Sequence, residues 1–288
     1  MRVATLSSVL MALPLGDQVV SSSPTDESEV TTRNVKTVSN VRIFRNGSAT
    51  ALVELGSTSA QFSCDSLVYG LTHDDCNYMS SIGMAAQGRN ERSNNGVIWI
   101  GSDGPNTFNF INAFDGPIII VVWHNPVGDH ESSFMNVRQA MVTYSLPSRG
   151  SAVQISVANG IPGGWAAIYN RDTALTQYGQ IDNTWGEFTS GTYATVDVSR
   201  LVNMQGNAMS IQTFNNNEDN GDARCMSDMQ TCVFICKNVA ARTCGESGTY
   251  DLINCSGPDR TYAIDGTGNP TGGCQGWSTN GHLEVVLS

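Results

Sequence analysis

The apolar positions of this chain fall into short runs that recur at close intervals from about residue 97 onward. Segments rich in Gly, Asn, Asp and Pro separate the runs, a spacing typical of a β-sandwich or barrel. The run at 117–124, PIIIVVWH, is almost continuously apolar and predicts a strand buried on both faces. Strands are predicted at 97–101, 107–113, 117–124, 137–146, 152–158, 165–169, 181–188, 193–198, 208–214 and 283–287, and a turn at 159–164.

The beginning of the chain has a different pattern. Residues 1–22 start with a positive charge followed by an apolar stretch, which predicts a signal peptide; an ordinary first strand or helix is the alternative. Residues 23–39 are polar and hold few apolar side chains, so a disordered linker is predicted there.

Residues 40–90 are predicted to form a small β-containing segment before the main domain. Asn46-Gly47 lies between two apolar runs at 41–55, which is a strong hairpin signal. Residues 78–84 fit either a strand or a short helix.

Composition supports a mostly β protein. Charged residues make up 14% of the 288 residues, well below the usual share of about a quarter, whereas 29 glycines punctuate the chain. We therefore predict an all-β fold, a β-sandwich-like antiparallel domain at 91–288 that is stabilised by disulfides and has a Cys-rich C-terminal part.

The eight cysteines are expected to form disulfides rather than a zinc site, because their spacing lacks paired Cys-x-x-Cys knuckles and nearby histidines. If Cys64 pairs with Cys76, the other six still allow 15 connectivities. Disulfides, together with glycosylation sequons at Asn46 and Asn254, favour a secreted, extracellular glycoprotein. The cysteines are Cys64, Cys76, Cys225, Cys232, Cys236, Cys244, Cys255 and Cys274.

The charge balance excludes two classes of partner. The formal net charge is −11, and Lys36 and Lys237 are the two lysines of the chain, so no basic surface is available for nucleic acid or anionic lipid. No apolar run reaches the length of about 18 residues that a membrane-spanning helix needs. No cofactor is predicted, and the oligomeric state cannot be derived from the pattern.

The segment 163–200 concentrates aromatic residues beside amides and carboxylates. Aromatic rings can stack on sugar rings while amides and carboxylates bind the hydroxyls, so a carbohydrate site is one hypothesis for this segment. The favoured interpretation of both tryptophans is that they belong to the core, because Trp is highly buried on average. The candidate ligand-binding residues are Trp165, Tyr169, Asn183, Trp185, Glu187 and Tyr193.

Catalysis is the weaker interpretation of the same segment. Glu187 with Asp182 or Asp197 could supply the two carboxylates of a glycosidase, although carboxylates beside Trp and Gly are more often structural. The cluster His124, Asp129, His130 and Glu131 matches no metal-binding motif, so a solvated turn is predicted there and no metal site.

Four short blocks, in this order and spacing, resemble the secreted fungal proteins typified by the Aspergillus group-four major allergen. They are IVVWHN at 120–125, GGWAA at 163–167, TWGEF at 184–188 and DVS at 197–199. The resemblance implies an extracellular fungal allergen-like or effector protein without assigned catalysis. We therefore predict a non-enzymatic protein that binds host proteins or cell-wall glycans, with a carbohydrate-active hydrolase using Glu187 as the alternative.

Overall fold

The computed structural model describes residues 62–215, 222–277 and 280–288, so the signal peptide, the linker, the 41–55 hairpin and the Asn46 sequon lie outside the described residues. Within them the protein is nearly all β, as predicted. Its single described helix is α1 (His73–Ser81). The strands are β1 (Ile98–Ile100), β2 (Asn106–Asn112), β3 (Ile118–His124), β4 (Val142–Leu146), β5 (Ala152–Val157), β6 (Pro162–Tyr169), β7 (Trp185–Thr189), β8 (Thr195–Ser199), β9 (Met209–Asn215), β10 (Cys225–Ser227), β11 (Val233–Cys236), β12 (Tyr250–Ile253), β13 (Arg260–Ile264), β14 (Pro270–Cys274) and β15 (Gly281–Leu287).

Two sheets form the fold. The first sheet has the strand order β1-β5-β2-β15-β9-β10, and the second has the order β12-β11-β8-β7-β6-β3-β4 with β14 also paired to β8. Most pairs are antiparallel, but β15 runs parallel to β2 and β11 runs parallel to β8. Each of the ten strands predicted from residue 97 onward has a counterpart, whereas β10 to β14, in the Cys-rich part, had not been predicted.

The main core lies between the sheets and is rich in aromatic rings. Trp165 is fully buried there, with its ring centroid 5.3 Å from that of Phe110 and 5.7 Å from that of Phe108. Gly186 faces Trp165, since a Cβ on Gly186 would lie 2.1 Å from the indole. Small residues on one strand thus make room for large rings on its neighbour.

Strand β3 is buried on both faces, as the continuous apolar run predicted. Ile118, Ile120 and Val122 face the core between the sheets. Ile119, Val121 and Trp123 face away from the first sheet, on what we call the outer face of the second sheet. A second hydrophobic cluster covers this part of the outer face, which is why β3 needs no polar side.

Helix α1 supplies part of that cover. Thr72 caps its first turn by accepting a hydrogen bond from the backbone N–H of Asp75, and Cys76 and Met79 face the sheet. The buried carboxylate of Asp75 binds Arg171, at 2.7 Å, and Ser145. Residues 62–90 therefore pack directly on the second sheet.

All eight cysteines are paired, which confirms the predicted disulfides. The bonds are Cys64–Cys76, Cys225–Cys274, Cys232–Cys255 and Cys236–Cys244. The Cys225–Cys274 bond connects β10 of the first sheet with β14 of the second, and it closes a loop with a sequence separation of 49 residues. Cross-links of this kind stabilise chiefly by restricting the unfolded chain, and here they hold the short strands of the Cys-rich part.

Candidate functional site

Four residues form a row across neighbouring strands on the outer face of the second sheet. Trp123 of β3 pairs with Gly164 of β6, and Gly164 pairs with Glu187 of β7. Glu187 pairs in turn with Asp197 of β8. Because residues paired across a sheet point to the same face, two carboxylates stand side by side at one end of this row.

Gly164 lets the indole of Trp123 lie across its strand. A Cβ on Gly164 would come within 2.7 Å of the Trp123 ring, so a larger residue would displace that ring. The same indole packs edge-on against Trp185, with ring centroids 4.8 Å apart. Trp123 thereby extends the hydrophobic cover of the sheet toward Glu187.

The two carboxyl groups influence each other. Burial raises the pKa of Asp197 well above its usual range, and the adjacent Glu187 raises it further. Burial also raises the pKa of Glu187, and a hydrogen bond from Ser199 partly offsets that rise. Since like charges at adjacent positions disfavour double ionisation, the pair retains a proton at a pH where isolated carboxyl groups are ionised.

Asp197 lies where β8 changes its neighbour. The strand pairs with β14 at Val196 and with β11 at Val198, so Asp197 stands at the junction of the sheet and the Cys-rich part. Its side chain is only 6% exposed, and its Oδ1 atom has no hydrogen-bond partner. A buried carboxyl oxygen without a donor is costly as an anion, so this environment favours the protonated form of Asp197.

A cleft of about 1630 Å³ opens above this carboxylate pair. The loop 176–182 and the turn before β8 form part of its wall, the loop 238–246 forms another part, and the β13–β14 hairpin completes it. Arg242 and Asp182 join two of these walls through a 2.5 Å ion pair. The disulfide Cys236–Cys244 closes the loop that carries Arg242.

Tyrosines frame the cleft. Tyr193 is 80% exposed and Tyr178 is 50% exposed, both at its rim, whereas Tyr250 of β12 lies buried in its wall. The pKa of Tyr250 is raised first by burial and then by the charges of Asp265 and Glu187. Hydroxyl and amide groups from threonine, asparagine and glutamine side chains complete the lining.

Residues 101–257 match the family model described as the Allergen Asp f 4-like domain. The chain belongs to this family. The matched region contains the whole row from Trp123 to Asp197 and ends before the β13–β14 hairpin that completes the cleft. A search of curated proteins returned no significant match.

The structure brings only part of the predicted ligand set into the cleft. Glu187 and Tyr193 line it, whereas Trp165 lies between the sheets and Tyr169 packs against Phe114 in the same core. Asn183 donates to the backbone carbonyl of Ala167. These three buried side chains have no face left for a ligand.

Trp185 is buried in the outer cluster, and its Nε1 donates to the carbonyl of Ile181. It lies on the same face as Glu187, but the second hydrophobic cluster buries it. Both tryptophans are therefore core residues, as their usual burial predicted.

Sequence reasoning missed several residues of the row and of the cleft. Gly164 was assigned to the turn at 159–164, but β6 already begins at Pro162, so the glycine is part of the sheet. Tyr250, Arg242 and the β13–β14 hairpin come from the Cys-rich part, whose strands are short and carry weak patterns. The repeated glycines before an aromatic were the one signal for a crowded sheet position.

The loop with candidate metal ligands is organised by ion pairs. Asp129 and Glu131 both bind Arg138, at 2.9 Å and 3.0 Å respectively. His124 ends β3, and its pKa is lowered by burial and by the charge of Arg89.

Among the residues that the structure describes, no helix is long and apolar enough to span a membrane.

Proposed function

We propose that this member of the Allergen Asp f 4-like family binds a neutral glycan chain in the cleft above Glu187 and Asp197. The observation that carries the proposal is the combination, in one cleft, of exposed tyrosines at the rim with the side chains of Glu187 and Asp197 at the floor. Aromatic faces stack on sugar rings, and carboxyl oxygens accept hydrogen bonds from sugar hydroxyls.

The size of the cleft favours a polymer over a small metabolite. Its volume of about 1630 Å³ exceeds the range of roughly 300–1,000 Å³ common for small-molecule sites. Tyr178 and Tyr193 stand on different loops, so an extended ligand can contact both while it passes over the carboxylates. A chain of several sugar rings meets these requirements.

The charge of the cleft selects against anionic ligands. Asp182, Glu187, Asp197 and Glu246 line it, and Arg242 is already paired with Asp182. A phosphate backbone or a uronic acid polymer would meet repulsion that an uncharged glycan avoids. We therefore favour neutral cell-wall polysaccharides as ligands.

An extracellular site of action belongs to the same proposal. Four disulfides in a chain of this size favour an oxidising compartment. Asn254 of the predicted sequon is exposed, as glycosylation requires, although its amide donates to the carbonyl of Gln230. Cell-wall glycans of the producing organism or of a host would then be within reach, and in this role the protein would be a secreted allergen-like effector.

The test is a pull-down of the oxidised protein with insoluble chitin, β-glucan and plant-wall polysaccharide. Tyr193→Ala should weaken binding, because it removes the most exposed aromatic ring of the rim. Tyr262→Ala is the matched control, since Tyr262 is 48% exposed on β13 but does not line the cleft. Absence of binding to all three polymers, or equal binding by the Tyr193 variant, would count against the proposal.

A further inference from the structure

We propose that the Glu187–Asp197 pair hydrolyses a glycosidic bond of the bound glycan with retention of anomeric configuration, Asp197 acting as acid and base and Glu187 as nucleophile. This inference rests on the proposed function, because it needs a glycan in the cleft. It adds a chemical reaction to the binding role, and the description of the family domain names no reaction.

The register of β7 and β8 provides the geometry. Glu187 and Asp197 are direct partners on adjacent antiparallel strands, and such partners hold their Cβ atoms about 4.5–5.5 Å apart. Retaining glycosidases keep their two carboxyl groups about 5–5.5 Å apart, whereas inverting enzymes need a wider gap of about 6.5–9.5 Å for a water molecule. Because the side chains of paired residues project in the same direction, carboxyl groups on Cβ atoms this close are expected at a comparable separation, which matches the shorter range and favours retention.

The surroundings assign the roles. The Oδ1 atom of Asp197 is buried without a donor, an environment that stabilises the protonated acid over the anion. Glu187 is the more exposed of the two, and Ser199 stabilises its ionised form. The raised pKa of Asp197 agrees with this division, since one carboxyl group keeps its proton while the other is ionised.

Both chemical steps require only these two carboxyl groups, the glycan and one water molecule. In the first, the Asp197 carboxyl gives its proton to the glycosidic oxygen as the bond from that oxygen to the anomeric carbon breaks, while a Glu187 oxygen forms an ester to the same carbon. In the second, the Asp197 carboxylate takes a proton from water, whose oxygen attacks the anomeric carbon. The ester breaks, and both carboxyl groups return to their starting states.

Trp123 and Gly164 shape one side of this centre. The indole lies across Gly164, which is the paired neighbour of Glu187, so an apolar surface extends toward the nucleophile. Such a surface keeps bulk water from one flank of the carboxylate and strengthens the electrostatic interaction between the two carboxyl groups. Access from the opposite flank is through the cleft.

The experiment incubates the oxidised full chain with the polysaccharides of the pull-down and measures new reducing ends, with proton NMR of the anomeric signal as products form. Glu187→Gln and Asp197→Asn keep the shape of each side chain and should lower the rate about 100- to 10,000-fold, the usual contribution of a general acid or a nucleophile. Both should still bind the polymer. Glu284→Gln, on β15 of the first sheet, is the carboxylate control and should keep the wild-type rate.

A 2-deoxy-2-fluoro glycoside of the released sugar then identifies the nucleophile, because it should leave a covalent adduct on the peptide that contains Glu187. Binding without cleavage by the wild-type protein would overturn this inference and leave the proposed function standing. Cleavage with inversion, or an adduct on another residue, would overturn the assigned roles. Failure of the wild type and of both variants to bind any polymer would overturn both proposals.

Discussion

Two parts of the outer face of the second sheet differ sharply, although β7 contributes a residue to each. On β7, Trp185 and Glu187 lie two residues apart and point to the same face. Trp185 is buried under the cluster that includes Met79 of α1, whereas Glu187 lies at the floor of the cleft. The covered part of this face stabilises the fold, and the open part carries the candidate chemistry.

The difference shows that the elements over a sheet determine the role of its residues. The covered part is closed by α1 and its flanking residues, held by Asp75 and Arg171. The open part is walled by the Cys-rich part, which is fixed by disulfides and leaves space above Glu187. Five variants or conditions test this contrast, and the largest expected effect comes first.

The largest effect is expected in the covered part. Trp185→Ala should lower the free energy of unfolding by about 3–5 kcal/mol, because it removes a buried indole and leaves a cavity beside Trp123. Urea unfolding followed by fluorescence measures the loss. A similar loss in Glu187→Gln would show that both parts serve the fold and would break the comparison.

The ion pair that holds α1 should matter next. Asp75→Asn removes the charge that binds Arg171 in a buried position and should cost about 1–3 kcal/mol in urea unfolding. The expected loss is moderate because Arg171 itself is partly exposed. Asp74→Asn is the adjacent control: its carboxylate is exposed and 3.8 Å from Arg171, so a change below about 0.5 kcal/mol is expected.

The carboxyl pair of the open part should make the stability of the protein depend on pH. The pKa of Asp197 is raised in the folded protein, so the folded state holds its proton more tightly than the unfolded chain does. The stabilisation that the folded state gains from holding this proton is fully present below the unfolded pKa of about 3.9. It is lost as the pH rises through the folded pKa. The urea midpoint of the wild type should therefore fall over this range relative to that of Asp197→Asn. If the urea midpoints of the two proteins changed in parallel with pH, the raised pKa of Asp197 would be contradicted.

A smaller effect is expected for ligand binding at the rim. Tyr193→Ala should weaken glycan binding by an amount that corresponds to about 0.5–1.5 kcal/mol, the usual worth of an aromatic contact. Its stability should change by less than about 0.5 kcal/mol, because the ring is exposed. Depletion from solution by an insoluble polysaccharide measures the binding. A loss of stability instead of binding would assign Tyr193 to the fold.

The smallest effect belongs to the ion pair between the cleft walls. Arg242→Ala should change the free energy of unfolding by about 0–1 kcal/mol, because the guanidinium is largely exposed. Asp182→Asn should give the same result in chemical denaturation. A loss of several kcal/mol in either variant would show that the wall is part of the folding core.

Much of the sheet could be predicted, because apolar periodicity depends on burial that each strand experiences directly. The continuous run around Val121 predicted a strand covered on both faces, and β3 has this burial. The shared face of Trp185 and Glu187 also follows from their spacing. Their spacing does not predict which of the two side chains is covered. That depends on residues far away in sequence, since Met79 belongs to the cluster over the covered part and Arg242 to the wall of the cleft.

By itself the sequence determined the all-β class, the family and the presence of disulfides, because patterns of apolar, turn-forming and cysteine residues are local properties. The tertiary structure decided that Trp165 and Trp185 are core residues and that Glu187 faces Asp197 beneath a cleft. The partner of Glu187 depends on the register between two strands and on the walls built by the last part of the chain. Contacts between residues far apart in sequence set both features, and no local pattern encodes them.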